Sequence, residues 1–265
     1  MEKNKRFNDH TFVISAYKES KYLEECINSL LQQTVKSNIM ITTSTPNDFL
    51  DNIAKKYNLD LIINYGKSGI GPDWNFAVGQ AKTKFVTVAH QDDLYDLNYT
   101  QELEKEIKKN NDIIMLCTNH KEIRNGQVVK KNLNLKIKSI MMFPIIINKR
   151  LRFTKKMMCA FGNPLSTPSV CVNTDVLGKH PYREDMKSNI DWGSWLDWAE
   201  YKGSFIYIRK ILTFHRVHSE SETSNCIESN NRIKEDYEIF CRIWPKWFAK
   251  FLMIFYKHAQ YANKV

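Results

Sequence analysis

Two adjacent carboxylates, Asp92 and Asp93, close the stretch His90-Gln91-Asp92-Asp93, which follows directly on the apolar run Phe85-Val86-Thr87-Val88-Ala89. Such a run reads as a buried strand, and acids released at a strand's end stand at the rim of a sheet, where open α/β proteins take up ligands. Paired hard oxygen donors hold Mg²⁺ or Mn²⁺, and those ions commonly arrive with the phosphates of a nucleotide. A solvated aspartate pair opening a turn has the same spelling, so the four residues need corroboration from the rest of the chain.

For these acids to stand at a rim, the chain must supply the sheet. Residues 11–16 are β-branched and apolar and predict a first buried strand. Tyr22, Leu23, Cys26, Ile27, Leu30 and Leu31 then recur at helical spacing, with Ser20 placed to cap the start. A second strand is expected over 39–42, a second helix over 48–57 opened by Pro46-Asn47-Asp48, and a third strand over 59–63. Gly66-Lys67-Ser68-Gly69-Ile70-Gly71-Pro72 reads as a loop, and residues 73–81 as a helix leading into the strand before Asp92. Such alternation implies a largely parallel sheet with helices on both faces. Beyond the acids come a helix through Leu103 and Ile107 and a strand over 113–118. Asn125-Gly126 predicts a hairpin, because both residues accept positive φ. A short strand over 169–172, a Trp-rich helix over 191–201 and strand-like runs at 205–208 and 211–214 follow. From about residue 230 the pattern is helical and aromatic, with Trp244, Trp247, Phe248, Phe251, Phe255 and Tyr256.

Composition bounds the class. A chain of 265 residues suits one large domain, or one domain with an appendage. With 43% hydrophobic and 26% charged residues it is globular rather than disordered. No apolar run approaches the ~20 residues of a membrane span, and the polar opening shows no apolar leader, so a cytoplasmic location is expected. The six cysteines, at 26, 117, 159, 171, 226 and 241, lack C-x-x-C pairing and point to reduced core thiols rather than disulfides or zinc ligands.

The net charge of +10 is concentrated. Between Glu122 and Asp175 no acid occurs, while Arg124, Lys130, Lys131, Lys136, Lys138, Lys149, Arg150, Arg152, Lys155 and Lys156 are all basic. That block predicts an anionic partner. Within it Ile140-Met141-Met142-Phe143-Pro144-Ile145-Ile146-Ile147 is apolar, a mixture closer to a membrane-surface element than to a nucleic-acid groove, because stacking aromatics are few. A core helix with a solvated basic face is the competing reading.

Several segments, in this order, resemble the family-2 glycosyltransferases of the GT-A fold. Phe12-Val13-Ile14-Ser15-Ala16-Tyr17-Lys18-Glu19 and the helix from Tyr22 to Thr34 are similar to that family's first strand and helix. Gly69-Ile70-Gly71 with Trp74-Asn75-Phe76-Ala77 resembles its glycine loop and asparagine-bearing helix. His90-Gln91-Asp92-Asp93 occupies the place of the D-x-D metal motif, Asp191-Trp192-Gly193-Ser194-Trp195-Leu196 that of the acidic-Trp helix, and His215-Arg216-Val217-His218-Ser219-Glu220-Ser221 that of the Arg-x-His element. The resemblance covers about residues 11–221. It implies a GT-A-like, Rossmann-type α/β domain over 1–225, with a mixed, mainly parallel sheet flanked by helices. A nucleotide-sugar half would occupy about 1–120, an acceptor half about 121–225, and a helical C-terminal extension 226–265.

The resemblance also implies the chemistry. As the bond from the anomeric carbon to the diphosphate breaks, negative charge grows on the leaving group, and a held Mn²⁺ or Mg²⁺ stabilises it by several kcal/mol. Asp92 and Asp93 are the expected metal ligands, with His218 completing the set, since Mn²⁺ accepts imidazole beside oxygen. Asp191, flanked by apolar Ile190 and Trp192, is the expected base for an inverting transfer; Asp185 and Asp197 are alternatives. Ala16, Tyr17, Glu19, Thr43, Ser44, Lys67, Gly69, Asn75, Gln91 and Asp92 are the expected nucleotide-sugar contacts. Asn163, Ser169 and the faces of Trp192 and Trp195 are the expected acceptor contacts, although a Trp stripe at helical spacing also reads as core.

The chain departs from the family's pattern in places. His90 stands where an acid is usual, and Asp197 where an arginine is common. Thr43-Ser44-Thr45-Pro46-Asn47-Asp48 replaces an aspartate pair, and hydroxyls suit a uracil or thymine edge, so UDP- or dTDP-sugars are favoured. The acceptor is expected to be a hydroxyl of a cell-surface glycan or lipid-linked saccharide. Residues 130–156 and the C-terminal helices are expected to meet an anionic membrane, on its inner face, and no nucleic-acid partner is expected. A nucleotidyltransferase is one alternative, but Ala16-Tyr17-Lys18-Glu19 lacks the glycine-rich basic signature it would need. A basic nucleic-acid-binding protein is another; it leaves Asp92, Asp93, Asp191 and His218 idle.

Overall fold

The computed structural model describes residues 5–130, 132–218 and 230–261. Its centre is a nine-stranded sheet. The strands are β1 (Arg6–Ala16), β2 (Lys36–Thr43), β3 (Asp60–Ile63), β4 (Phe85–His90), β5 (Leu94–Tyr95), β6 (Ile113–Arg124), β7 (Gln127–Val128), β8 (Val170–Asn173) and β9 (Ser204–Val217). Their order is β3-β2-β1-β4-β8-β6-β9-β5, with β7 on β6. β1, β2, β3 and β4 pair in parallel, as strand–helix alternation requires. β8 then runs antiparallel between β4 and β6, and β6 pairs in parallel with β9.

The helices are α1 (Leu23–Leu31), α2 (Asp48–Tyr57), α3 (Ile70–Gln80), α4 (Tyr99–Lys109), α5 (Leu133–Met141), α6 (Phe143–Ile147), α7 (Arg152–Met158), α8 (Thr174–Leu177), α9 (Ile190–Trp198), α10 (Asn230–Ile243) and α11 (Lys246–Tyr261). On one face of the sheet, Leu23, Cys26 and Ile27 of α1, Leu50 and Ile53 of α2 and Leu103 of α4 form a core with Phe12 and Ile14. On the other, Ala77 and Val78 of α3, Trp192, Trp195 and Trp198 of α9, Ile239 and Phe240 of α10 and Ala249 and Met253 of α11 pack on Val13, Val86 and Val88. The helices after residue 230 therefore share a core with the sheet.

Local signals explain the boundaries. Asn47 caps α2 by accepting from Leu50 N at 3.0 Å, while Asn58 in the left-handed conformation ends it. Asn125 and Gly126, at φ 50° and 75°, turn β6 into β7 with Ile123 opposite Val128. Four details differ from expectation. β1 starts at Arg6, before a register irregularity that ends at Thr11. Ser20 accepts from Tyr22 N rather than capping deeper in the turn, and Tyr22 takes the cap position. α3 begins at Ile70, because Pro72 fits a first helical turn, where its missing N–H is no loss. The strand-like runs at 205–208 and 211–214 are one strand, β9, whose pairing with β6 passes from Ile208 to Ile211 through a bulge at Arg209 and Lys210.

The buried thiols of Cys26, Cys117, Cys159 and Cys171, and the half-buried Cys241, are free; Cys226 lies outside the described residues. No described helix is long and apolar enough to cross a membrane.

Candidate active site

β4 emerges from the sheet between β1 and β8, and its end carries the acids to the rim. His90 closes the strand, Asp93 N turns back to His90 O at 3.3 Å, and β5 follows immediately. β5 pairs antiparallel with the end of β9, Leu94 opposite Phe214. That pairing brings His215, Arg216 and His218 onto residues more than 120 positions earlier.

Every partner of the acid pair comes from this junction. Asp93 is fully buried; its Oδ1 accepts from Arg216 N at 2.7 Å and lies 3.1 Å from His215 Nδ1. Asp92 Oδ2 meets His218 Nε2 at 2.9 Å. Arg216 donates from Nε to Asp92 O at 2.9 Å and from Nη2 to Glu25 at 2.6 Å, and its guanidinium lies 4.1 Å from the centre of the Tyr22 ring. Burial opposes charge on His215, but the charge and hydrogen bond of Asp93, with Asp92 behind, outweigh it and raise the imidazole to about 9. Burial likewise pushes the Asp92 carboxyl up, and the His218 hydrogen bond with the charges of His90, His215 and His218 outweighs it, so the carboxyl sits below its usual range.

Ligand atoms of His90, Asp92 and Asp93 lie within 4.8 Å of one another. The His90 ring stacks on Trp74 at 5.4 Å and 22°, and its Nε2 is out of solvent contact with no hydrogen-bond partner. Burial lowers the His90 pKa against the pull of Asp93 and Asp92, which favours the neutral imidazole a metal requires. Two carboxylates and an imidazole nitrogen are a fitting donor set for a divalent ion of Mn²⁺ type. His218, expected as a third ligand, lies beside the trio with its Nε2 on Asp92 Oδ2, and His90, where an acid is usual, belongs to the compact trio.

Asp191 sits in the first turn of α9. Its Oδ2 accepts from Asn163 Nδ2 at 2.7 Å and Thr167 Oγ1 at 3.3 Å, and its Oδ1 from Trp192 N at 2.7 Å. Its charge acts weakly on the His90 imidazole, behind those of Asp93 and Asp92. α10 fixes the approach to α9: Glu235 accepts from the backbone N–H groups of Lys187, Ser188 and Asn189 at 2.7–2.9 Å, and Asp236 from Asn189 Nδ2 at 2.7 Å. The alternative acids are committed elsewhere, Asp185 to Arg183 and Asp197 to Arg183 and Arg242.

The expected nucleotide-sugar residues form a connected wall around the end of β1, β2 and α3, and much of its polarity is turned inward. Ala16 is buried opposite Thr43. Gln91 clasps the backbone of Tyr17, accepting from N at 3.2 Å and donating to O at 2.9 Å, while the Tyr17 ring is exposed beside Lys18. Glu19 is exposed. Thr43 supports Thr45, which receives Lys18 N at 2.6 Å. Asp73 is the unanticipated hub: it accepts from Ser44 Oγ, Asn64 Nδ2 and Gly69 N at 2.8–3.2 Å. Lys67 pairs with Glu184 at 3.2 Å.

Four further residues expected as contacts are buried. Asn75 is 2% exposed and spends its amide on Tyr182 N, Tyr182 O and Glu184, so it pins the segment before α9 rather than facing a ligand. Trp192 and Trp195 are fully buried, packed on Phe240, Tyr182 and Trp198, and offer no face to a sugar. Ser169 is fully buried and its hydroxyl donates to Ser166 O. Asn163 remains at the site through Asp191. Gly71 is required by protein rather than ligand: a Cβ there would lie 2.2 Å from Arg183 O.

The sequence matches the model of glycosyl transferase family 2 over residues 11–169, more than half of the chain. The chain belongs to glycosyl transferase family 2. The solved structure of S. aureus TarS 1-349 in complex with UDP-GlcNAc is similar, with a TM-score of 0.64 and 17% identity, covering 92% of this chain and 70% of that one. The mannosyltransferase PcManGT from Pyrobaculum calidifontis, in complex with GDP-Man and Mn²⁺, matches with a TM-score of 0.65 and 13% identity, covering 92% and 69%. The chain covers 42% of a longer TarS structure. No curated protein matches the sequence. The protein is thus a glycosyltransferase with a GT-A-like fold, and the nucleotidyltransferase and nucleic-acid-binding alternatives fall away.

Proposed function

We propose that this glycosyltransferase performs a metal-dependent, inverting transfer from a nucleoside-diphosphate sugar to a hydroxyl of a cell-surface glycan or lipid-linked acceptor. The observation that carries the reading is the trio His90, Asp92 and Asp93 gathered within 4.8 Å. The chemistry supplied by a divalent cation bound to the trio is Lewis-acid neutralisation of the charge growing on the diphosphate. Asp93, anchored by Arg216 N and His215, fixes the trio, and Asp92 offers its carboxylate to the ion. Asn163 and Thr167 aim Asp191, which takes the acceptor's proton as the new glycosidic bond forms. UDP- or dTDP-sugars are favoured because Thr43 and Ser44 offer uncharged hydroxyls, which suit a uracil or thymine edge, in place of an aspartate pair.

The site assignment is tested by nucleoside diphosphate release from a panel of nucleotide-sugars with Mn²⁺. Release should vanish in Asp92→Asn and in Asp191→Asn while both variants stay folded; full activity in either removes the role assigned to that residue. We place the enzyme at the inner face of a membrane, on the strength of exposed apolar residues Leu133, Ile137, Leu151 and Phe153 in the basic block and the Trp247, Phe251, Ile254 stripe on α11. Flotation with anionic liposomes tests that placement, and a protein left wholly in the unbound fraction at low salt overturns it.

A further inference from the structure

A groove of about 380 Å³ opens between α5, α6 and the bulged part of β9, and it contains none of the carboxylates or imidazoles of the candidate active site. Ile140, Phe143 and Ile146 form its helical wall, and Tyr207 and Arg209 its strand wall. Ile140 is 71% exposed and Phe143 58%. Soluble proteins rarely leave contiguous apolar surface open without a use. The exposure continues along α5, where Leu133, Ile137 and Ile140 recur at i, i+4 and i+7 on one side of the helix, and onto Ile147 of α6.

Polar groups of the groove bond within the protein, and Arg209 differs. Ser139 and the Tyr207 hydroxyl hydrogen-bond each other, and Asn119 Oδ1 accepts from His120 N at 2.9 Å. Arg209 is exposed, and among the described residues no carboxylate pairs with it. It occupies the β9 bulge, which turns its side chain's attachment point out of the regular ladder. The groove thus combines an apolar trough with a cation at its rim that no carboxylate among the described residues pairs, and its helical wall lies in the acid-free run between Glu122 and Asp175.

We propose that this groove seats the hydrocarbon chain of an anionic lipid, with the lipid's phosphate against Arg209. The volume lies within the ~300–1,000 Å³ typical of small-molecule sites. Charge decides the class of occupant. A second copy of the chain docking this face on itself would bring the two exposed Arg209 cations to one interface, since a two-fold interface brings the same patch together. A nucleic acid would find two rings, Phe143 and Tyr207, on opposite walls and otherwise aliphatic side chains rather than a stacking platform. An anionic amphiphile satisfies both halves of the groove. The site would hold the enzyme, or its lipid-borne acceptor, beside the bilayer; in that respect it rests on the membrane placement above.

The test is calorimetric titration of the whole protein with dihexanoyl phosphatidylglycerol kept below its micellar concentration, beside dihexanoyl phosphatidylcholine and glycerol 3-phosphate. The phosphatidylglycerol should bind, the phosphatidylcholine roughly tenfold more weakly, and the chainless phosphate not measurably. Phe143→Asp should weaken phosphatidylglycerol about tenfold or more, and Arg209→Gln should erase the preference between the two lipids. Both variants should keep the wild-type melting temperature and nucleoside diphosphate release. Undetectable phosphatidylglycerol binding, or binding indifferent to Phe143→Asp, overturns the proposal. So does a wild-type dimer in sedimentation that Phe143→Asp dissociates, which would give the face to a second copy. Failed liposome flotation with intact binding of the monomeric lipid removes the membrane placement and leaves the groove; the reverse result removes the groove alone.

Discussion

The acid pair at the end of β4 and the basic block of α5, α6 and α7 are both concentrations of charge, yet the fold treats them in opposite ways. Asp92 and Asp93 are enclosed by partners from the far end of β9, and their charge is directed inward at a small volume with His90. The basic block is turned outward. Several of its cations are also neutralised: Arg150 pairs with Asp112, Arg152 and Lys156 pair with Glu200, and Lys155 is buried with its ammonium on Tyr201 O at 2.6 Å. What the block leaves open is mostly apolar. A charge count along a sequence therefore measures neither surface potential nor site strength; pairing decides both.

The comparison can be broken most severely within the acid pair. Asp92→Asn should reduce nucleoside diphosphate release by about 10²–10⁴-fold with little change in urea midpoint, because its carboxylate is the outer one. Asp93→Ala should remove activity and stability together, at about 3–5 kcal/mol, since it strands His215 and the Arg216 N–H in the interior. If Asp92→Asn unfolds the protein, or Asp93→Ala leaves the urea midpoint unmoved, the division between outer ligand and inner anchor is wrong.

A buried ionisable group outside both regions gives the next effect. His10 is enclosed between β1, β2 and β4, its ring nitrogens 2.7 Å from Ser37 Oγ and 3.0 Å from Thr87 Oγ1, and burial depresses its pKa to about 3. The unfolded chain takes a proton near pH 6.5 that the folded chain refuses, so stability falls as pH drops from there toward 3. Urea unfolding of His10→Gln should show an acid limb shallower than wild type by roughly 1 kcal/mol per pH unit between pH 6 and 4. Equal slopes would mean that His10 is charged in the folded state.

The smallest effects belong to the outward face. Ile137→Ser and Phe153→Ser should change stability by less than ~0.5 kcal/mol, because neither side chain is packed. Both should lower the fraction of protein floating with anionic liposomes, and raising salt should lower it further, since each basic residue near such a surface contributes ~1 kcal/mol. A large loss of stability in either variant would show that the face is covered within the protein itself.

Much of this was legible beforehand. The strand–helix alternation through residue 90, the boundaries of α2, the Asn125-Gly126 hairpin and the positions of Asp92, Asp93, Asp191 and His218 follow from local periodicity, turn chemistry and the family resemblance. Less legible were the partners. Asp73 looked like the start of a helix and is the hub of Ser44, Asn64 and Gly69. His90 looked like a missing acid and completes the trio. Asn75, Ser169, Trp192 and Trp195 looked available to ligands and are buried. The apolar spacing of the three tryptophans was the one signal that pointed to their burial, and it could not exclude a surface stripe.

The sequence by itself determined which segments fold as strands and helices and where the acids leave the sheet, because periods of 2 and 3.6 residues and the φ demands of Asn, Gly and Pro act within a few positions. Only the tertiary structure decided what those acids meet. The pairing of β5 with β9, across more than a hundred residues, joins Asp93 to Arg216 and Asp92 to His218, and the docking of α10 on α9 sets the place of Asp191. Such contacts depend on strand register and side-chain burial, which no local pattern specifies.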